Sequence, residues 1–278
     1  MSYLDFADLD VYLLLQKERI IHQIWFGTIP SKTEAKKAYE KLKIYRDSWV
    51  IKNPTWCRIE WNKKLCMDLI KTFYSEHMDI FKKYKYEIQR CDMIRYLILH
   101  RYGGWYADMD YYCNRPLDEA MNAYKNSIYL VQTPNTVIGQ GDDHISNSLM
   151  YSVRNHSFWK CVMLELEKAQ EAPIYYSKHL EVMFTTGPSI LNRVYFQHKY
   201  KYRVKSLPYK FFHPYGVKDE KIFLANNKEV YAIHIGKGSW EESDSKFFLF
   251  FLREWKIFLF IVCGLVIPYF LFYIKKHK

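Results

Sequence analysis

The sequence lacks the features that divide a chain into several modules. Its 278 residues include only 10 Gly and 9 Pro, and they contain no internal repeat and no stretch rich in Pro, Gly or Ser. A chain of this length can bury one substantial core. We therefore expect a lead segment at residues 1–18, one folded domain at residues 19–246 and an anchor region at residues 247–278.

The sequence also lacks the signatures of nucleic-acid recognition. The net charge is +11, but Lys and Arg are scattered along the chain, and there is neither a recognition motif nor a zinc-type pairing of cysteines. A basic surface of this kind favours an anionic small molecule or an anionic membrane face. Six cysteines do not define a redox compartment. Cys57 and Cys66 could form a disulfide in an oxidising lumen, yet we expect free buried thiols.

The most informative feature is the pair of carboxylates in Asp108-Met109-Asp110, which follows a short apolar segment. Residues i and i+2 of an extended chain project to one face. Two carboxylates held that close repel each other unless a cation neutralises them. Hard oxygen ligands suit Mg²⁺ or Mn²⁺, which keep coordination positions open for phosphate oxygens. The motif therefore predicts a site for a metal ion and a diphosphate.

An amphipathic helix is predicted before this motif and ends at Gly103, a residue type common just after the last helical turn. Asp92 and Arg95 lie three residues apart on it and share a helix face. The spacing alone fits an ordinary surface ion pair, which contributes less than ~1 kcal/mol.

These residues resemble the Asp-x-Asp sugar-binding glycosyltransferases, family 32, which include initiating mannosyltransferases and inositol-phosphoceramide mannosyltransferases. The shared pattern is Cys91-Asp92-Met93-Ile94-Arg95-Tyr96 followed by Tyr102-Gly103-Gly104-Trp105-Tyr106-Ala107-Asp108-Met109-Asp110, with Cys91 in place of the usual Ser. Similar stretches continue over residues 19–240. They contain Trp25, Asn53-Pro54-Thr55-Trp56, Asn147, Thr186-Gly187-Pro188, His234, Ser239 and Trp240. The acidic residue that the family carries after Trp61 is missing.

The resemblance implies a GT-A fold and a retaining hexosyltransferase that uses a nucleotide-sugar donor, with mannose as the first candidate sugar. It implies a divalent metal, commonly Mn²⁺ or else Mg²⁺, held by Asp108, Asp110 and His234, although His234 could instead be a core histidine. Asp92 and Arg95 would hold sugar hydroxyls and act with Asp108 and Asp110 in catalysis. Donor contacts would also come from Trp25, Tyr106, Asp108, Asn147, His234, Ser239 and Trp240. The acceptor would be a glycan or a glycolipid, and the involvement of a regulatory subunit stays open.

Strands and helices alternate along the predicted domain. The predicted strands are residues 19–26, 58–61, 105–109, 127–132 and 231–235, and the predicted helices are residues 34–46, 65–74, 87–102, 158–170 and from 188 onward. Such alternation favours an α/β fold with a mostly parallel sheet, whose ligands gather at the carboxyl ends of the strands. Asp142, Asp143 and His144 could form a metal cluster, but we expect a solvated loop after a turn at residues 138–141.

Two other function classes are compatible with these residues. Phosphatases of the haloacid-dehalogenase type also place Asp-x-Asp after an apolar strand and use the first Asp as a nucleophile, although here Tyr111 and Tyr112 follow the motif. The second alternative is a membrane-anchored, non-catalytic sugar-binding subunit. Intact Asp92, Arg95, Asp108 and Asp110 favour an enzyme over that alternative.

Residues 257–274 contain no charged side chain and would span about 27 Å as a helix, which is just enough to cross a bilayer core. We expect a transmembrane helix there, preceded by an interfacial segment at residues 247–252, with a core helix as the alternative. The start of the chain does not resemble a signal peptide. The terminal lysines and the sequon at Asn155 favour a catalytic domain in the lumen of the ER or Golgi, while a tail anchor would leave that domain in the cytosol.

Overall fold

The structure of the protein, a computed structural model, describes residues 17–27, 31–124, 127–134, 143–214 and 227–236. Among these residues, six strands form one sheet in the order β2-β1-β3-β6-β5-β7, and two strands, β4 and β8, form a second sheet. The strands are β1 (Ile20–Ile24), β2 (Cys57–Trp61), β3 (Gly104–Ala107), β4 (Tyr111–Cys113), β5 (Ile128–Gln132), β6 (Ile145–Ser152), β7 (Lys205–Leu207) and β8 (Ala232–His234).

The large sheet is mostly parallel, as the alternating pattern predicts. β2, β1 and β3 pair in parallel, β6 pairs antiparallel with both β3 and β5, and β5 pairs in parallel with β7. Five strands therefore run in one direction, and β6 runs against them. The α/β fold class is confirmed.

Helices connect these strands and cover the sheet. They are α1 (Lys32–Lys41), α2 (Lys43–Lys52), α3 (Lys63–Phe73), α4 (Met78–Lys83), α5 (Glu87–Tyr102), α6 (Leu117–Tyr124), α7 (Phe158–Lys168), α8 (Lys178–Thr185), α9 (Pro188–His198) and α10 (Tyr209–Phe212), with a 3₁₀ turn at Ser75–His77. Side chains cap several helix starts: the Asn62 carboxamide accepts a hydrogen bond from the Leu65 backbone N–H at 2.9 Å. The prediction of a single helix at residues 34–46 is wrong, because Leu42 separates α1 from α2. Leu42 and Tyr45 pack there with Met109.

Successive strand residues point to opposite faces of the sheet, and each face has its own core. In β1, Ile20 and Ile24 belong to the larger core, whereas Ile21 packs with Trp49 and Trp105 in the core on the other side. Helices α5, α7 and α9 supply nearly half of the buried residues of the larger core. The result is a sheet buried on both faces, as is usual for parallel strands.

Two adjacent glycines allow α5 to lead directly into the centre of the sheet. Gly103 ends the helix with φ +65°, and Gly104 follows with φ +84°. A Cβ atom at Gly104 would lie 2.5 Å from the carbonyl oxygen of Ile20, and one at Gly103 would lie 2.8 Å from that of Ser152. Only glycine fits both the backbone conformation and this close approach. β3 can therefore lie between β1 and β6.

Strand β6 was not predicted, although it lies in the middle of the sheet and all eight of its residues are buried. Its first half is polar, since Ser146, Asn147 and Ser148 follow one another. Such a run does not show the apolar pattern of a central strand. These side chains can be buried because they have hydrogen-bond partners.

The cysteines and the sequon can be placed in part. Cys57, Cys66, Cys91, Cys113 and Cys161 are free thiols, so Cys57 and Cys66 do not form a disulfide. Asn155 is exposed in the turn before α7.

Within the described ranges, no helix is both long enough and apolar enough to cross a membrane. The predicted transmembrane helix at residues 257–274, the interfacial segment at 247–252, the turn at 138–141 and nearly all of the lead segment lie outside the described residues.

Candidate active site

The Asp-x-Asp motif forms a turn rather than the end of a strand. β3 stops at Ala107, two residues earlier than predicted, and the Tyr111 backbone N–H donates to the Asp108 carbonyl at 3.1 Å. The expectation that both carboxylates lie on one face of an extended chain is therefore wrong. The turn leads into β4, which pairs antiparallel with β8 and sets Tyr111 opposite His234. This pairing brings His234 to the motif.

Three side chains converge at this turn, and we call them the outer cluster: Asp108, Asp110 and His234. Their potential ligand atoms all lie within 4.8 Å of one another, and His234 Nε2 is 3.2 Å from Asp110 Oδ1. Two carboxylates and one imidazole form a donor set that suits Mn²⁺ and also allows Mg²⁺. The arrangement fits the metal site that the resemblance implies.

His234 belongs to the site and is not a histidine enclosed in the core. Its ring stacks on the Tyr111 ring with centroids 4.5 Å apart and planes at 5°. Its Nδ1 lies 3.1 Å from His213 Nε2, so both ring nitrogens have polar neighbours. These contacts fix the ring plane and direct Nε2 toward Asp110.

Behind the outer cluster lies a second group of polar side chains, the buried network: Asp92, Arg95, Asn147 and Thr186. Asp92 and Arg95 are joined at 3.0 Å, and each side chain is only 4% exposed. The surface ion pair that the spacing allowed is therefore wrong. Arg95 Nη1 also lies 3.1 Å from Asp108 Oδ1, so the network is joined directly to the outer cluster.

Hydrogen bonds occupy both oxygens of Asp92. Asn147 Nδ2 donates to Oδ1 at 2.9 Å, and the Thr186 hydroxyl donates to Oδ2 at 3.1 Å. Arg95 Nη1 donates to the Asn147 carbonyl at 2.8 Å, and the Tyr106 hydroxyl donates to Asp108 Oδ1 at 2.7 Å. A buried charge is tolerated when it is paired and hydrogen-bonded. The polar first half of β6 thus supplies partners to this ion pair.

Burial and neighbouring charges shift the pKa values of Asp92 and Asp108, the two carboxylates that contact Arg95. Burial raises the pKa of Asp92 to about 6, and the opposing effect of Arg95 keeps it from rising further. Burial also raises the pKa of Asp108, where Arg95 lowers it and Asp110 raises it again. Charge repulsion between Asp108 and Asp110 would be relieved by a cation between them.

The remaining predicted residues divide into three groups. Trp25 follows β1 at the same sheet edge as Asp108 and is half-buried against Tyr39, with ring centroids 5.7 Å apart. Asn147 contacts Asp92 inside the network rather than facing the outer cluster. Ser239 and Trp240 lie outside the described residues.

The alternative metal cluster at residues 142–144 is not assembled in the described part of the chain. Asp143 pairs with Lys199 at 2.9 Å, and His144 contacts the edge of Phe196. Asp142 is not described. The grouping of potential metal ligands among described residues is the outer cluster instead.

Three residues of the site had no role assigned from sequence. Thr186 was matched only as part of a turn, Tyr96 accepts from Asn147 Nδ2 at 3.1 Å, and His213 contacts His234. Tyr96 could have been found, because it adjoins Arg95 in the helix motif. His213 carries no local signal, since it follows α10, far from the motif in sequence.

Comparison with known proteins agrees with the site. Residues 40–128 match the family model of the glycosyltransferase sugar-binding region containing the DXD motif. Inositol phosphoceramide mannosyltransferase 3 of Schizosaccharomyces pombe is 28% identical over 256 residues, which are 91% of this chain and 65% of that protein. Mannosyl phosphorylinositol ceramide synthase CSH1 of Saccharomyces cerevisiae is 29% identical over 80% of this chain and 54% of that protein.

The chain thus spans 54% to 65% of the length of these two relatives. Among solved structures, the PaToxG glycosyltransferase matches with a TM-score of 0.45 and 16% identity over 65% of this chain and 69% of that one. Residues 40–128, which match the family model, contain Asp92 and Arg95, the glycines Gly103 and Gly104, and both carboxylates of the outer cluster. Over residues 40–128 the chain is therefore similar to glycosyltransferases whose sugar-binding region contains the DXD motif.

Proposed function

We propose that this chain is a metal-dependent, retaining glycosyltransferase of the GT-A type that moves a hexose from a nucleotide-sugar donor to a glycan or glycolipid acceptor. The observation that carries the proposal is the convergence of Asp108, Asp110 and His234 at the carboxyl edge of the sheet, with Arg95 buried directly behind Asp108. Ligands of open α/β sheets bind at this edge.

Asp108, Asp110 and His234 would hold the divalent cation, Mn²⁺ or Mg²⁺. When bound, such an ion stabilises the negative charge that develops on the diphosphate leaving group. The protein's own contribution is to hold these side chains in place before the donor arrives. Arg95 and Tyr106 do so for Asp108, and the Tyr111 ring does so for His234.

The role proposed for Asp92 and Arg95 follows from their burial. The resemblance implies that both hold sugar hydroxyls, yet here their polar atoms already contact Asn147, Thr186 and Asp108. We assign them first the task of orienting Asp108. A sugar hydroxyl would reach them by replacing one of these contacts. Trp25, Ser239 and Trp240 stay predicted donor contacts.

Retention of configuration requires either a separate nucleophile or departure and attack on the same face of the sugar. Among the described carboxylates of the site, Asp92 and Asp108 are engaged by Arg95, and Asp110 by His234. None stands apart as a nucleophile. We therefore propose same-face departure and attack.

Mannose is the first candidate sugar, and a phosphoinositol-containing sphingolipid is the first candidate acceptor. The support is the activity for which the relatives are named, since one is an inositol phosphoceramide mannosyltransferase and the other a mannosyl phosphorylinositol ceramide synthase. The basic composition of the chain suits such an anionic acceptor.

A donor-hydrolysis panel tests this proposal most directly. The purified full chain is incubated with Mn²⁺ and, separately, with GDP-mannose, UDP-galactose, UDP-glucose and UDP-N-acetylglucosamine, and released nucleoside diphosphate is measured. We expect release from GDP-mannose above the other donors, abolished by EDTA and restored by added Mn²⁺. Release unchanged in EDTA would contradict the metal, and no release from any donor would favour the non-catalytic alternative.

The phosphatase alternative finds no support in the site. That mechanism uses the first Asp as a free nucleophile, whereas Asp108 is ion-paired with Arg95 and accepts a hydrogen bond from Tyr106. The match of residues 40–128 to the glycosyltransferase family model supports this conclusion.

The anchor at residues 247–278 and the lumenal location stay predictions from sequence. Their test uses vesicles that contain the full chain. We expect it to resist alkaline carbonate extraction and, with a lumenal catalytic domain, to carry glycan at the exposed Asn155. Extraction by carbonate would contradict the anchor, and digestion of the domain by protease added outside intact vesicles would contradict the lumenal orientation.

A further inference from the structure

His213 lies directly behind His234 and has no part in the function proposed so far. Its Nε2 is 3.1 Å from His234 Nδ1, on the side of that ring opposite Asp110. The two imidazole rings meet edge to face, with centroids 4.7 Å apart and planes at 72°. Tyr111 contacts both rings, stacked on His234 and edge-on to His213. The three rings form one packed group beside the outer cluster.

The position of His213 is set by the core. It follows α10, and its backbone N–H donates to the Tyr209 carbonyl at 2.6 Å. The preceding residue, Phe212, is completely buried and stacks on Tyr231 at 5.0 Å. Tyr231 in turn donates its backbone N–H to the Phe211 carbonyl at 2.7 Å, just before β8 begins. The segment that carries His213 is thus attached to the strand that carries His234.

The contact between the two imidazole rings bears on which nitrogen of His234 carries its proton. A neutral imidazole carries one N–H, and a nitrogen can bind a metal only if its lone pair is free. For His234 to offer Nε2 to a cation beside Asp110, its proton must be on Nδ1. That N–H then points at His213 Nε2, which can accept it. In known metal sites, a partner for the second ring nitrogen fixes the tautomer and the ring orientation.

We propose that His213 is a positioning residue that holds His234 as the Nδ1–H tautomer, so that Nε2 is ready for the cation. The proposal rests on the metal site of the proposed function. His213 does not touch the cation or the donor, and it acts only through His234. An acceptor at the place of Nε2 is what matters, not an imidazole as such.

The test measures binding of Mn²⁺ alone to the full chain, by the loss of the electron paramagnetic resonance signal of free Mn²⁺. His213→Leu removes the acceptor at similar volume, whereas His213→Gln places a carboxamide oxygen near the position of Nε2. We expect the leucine variant to weaken Mn²⁺ binding by about 10- to 100-fold, the usual effect of losing a metal ligand's hydrogen-bond partner. The glutamine variant should bind nearly as tightly as wild type.

Two further variants separate this proposal from the metal site itself. His234→Leu removes the proposed ligand, and His198→Leu, at the end of α9 against Tyr202, is a control for replacing a histidine elsewhere. His198→Leu should leave binding unchanged. If His234→Leu weakens binding while both His213 variants bind like wild type, His213 has no positioning role and the metal site stands. If His234→Leu also has no effect, the third ligand of the proposed function is wrong, and the role of His213 fails with it.

A spectroscopic measurement of the bound Mn²⁺ tests the proposal even if a variant folds in low yield. Electron spin echo envelope modulation of the bound Mn²⁺ should show coupling to one imidazole nitrogen in wild type and in His213→Gln. Should His213→Leu fold poorly, His213→Asn replaces it, because its shorter side chain cannot place oxygen at the position of Nε2. Nitrogen coupling and affinity equal to wild type in His213→Asn would overturn the proposal.

Discussion

The buried network and the outer cluster meet at Asp108 but differ in their access to water. Asp92 and Arg95 are each 4% exposed, whereas the side chains of Asp110 and His234 are 17% exposed and that of Asp108 is 27% exposed. In the network, each charge is matched by another protein group. In the outer cluster, two carboxylates converge with a single imidazole, so acidic side chains outnumber basic ones.

Because of this difference in exposure, we expect the buried network to contribute mainly to stability and the outer cluster mainly to ligand binding. A charge buried among matched partners is costly to break, since removal of one partner leaves the other desolvated and uncompensated. A partly exposed cluster rich in acidic side chains costs little to neutralise, but it is where a cation or a diphosphate can bind. Substitutions in the network should therefore act on folding first, and substitutions in the outer cluster on activity.

The largest effect is expected for Arg95→Ala. Loss of the guanidinium leaves the charges of Asp92 and Asp108 without their shared partner, so the free energy of unfolding should fall by about 3–5 kcal/mol. Denaturant unfolding followed by circular dichroism measures this value. A fall of less than about 1 kcal/mol, in the range of an exposed pair, would show that Asp92 and Arg95 do not behave as a buried ion pair.

The pH dependence of stability should show the burial of Asp92. The pKa of Asp92 is about 6 in the folded chain, against about 3.9 in an unfolded one. The folded chain therefore holds the additional proton between about pH 4 and pH 6. The contribution of Asp92 to stability is full below about pH 4 and falls as the pH rises to 6, by up to about 3 kcal/mol.

Asp92→Asn cannot ionise and serves as the comparison. The difference between wild type and this variant in the free energy of unfolding should change across pH 4–6 and be constant above it. A constant difference over the whole range would mean that the pKa of Asp92 is not raised in the folded chain.

Asp110→Asn should produce the opposite kind of change. It keeps the size of the side chain but removes one charge from the outer cluster, so glycosyl transfer should fall by at least about 10²-fold, as for loss of a key electrostatic group. The free energy of unfolding should change by less than about 1 kcal/mol, since the side chain is partly exposed. Initial rates and denaturant unfolding on the same preparation compare the two. A large loss of stability would contradict the expectation that the outer cluster, unlike the buried network, contributes little to folding.

The smallest effect is expected for Asp47→Asn. Asp47 pairs with Lys43 one turn away on α2, and the two side chains are 45% and 63% exposed. This pair has nearly the same helical spacing as Asp92 and Arg95 but lies in water. Its loss should change the free energy of unfolding by about 0.5 kcal/mol or less. A change as large as that of Arg95→Ala would show that burial is not what separates the two pairs.

Much of the fold was predictable where a local pattern repeats. Helix α5 was predicted at residues 87–102 and has those bounds, because its apolar residues recur at helical spacing and Gly103 ends it. Strand β6 was missed because Ser146, Asn147 and Ser148 are polar, and only their partners on other elements make their burial favourable. The break at Leu42 escaped prediction for a similar reason, as the residues there pack on the Asp-x-Asp turn.

The candidate site divides in the same way. The helix motif, the Gly-Gly turn and the two carboxylates are neighbours in sequence, and their chemistry and spacing predict a site for a metal ion and a diphosphate. Sequence by itself also identified His234 through its resemblance to the family. Only the tertiary structure decided that Asp92 and Arg95 are buried, that the motif is a turn, and that His213 lies behind His234. The physical reason is that residue type and spacing are local, whereas desolvation and the pairing of β4 with β8 depend on packing between segments far apart along the chain.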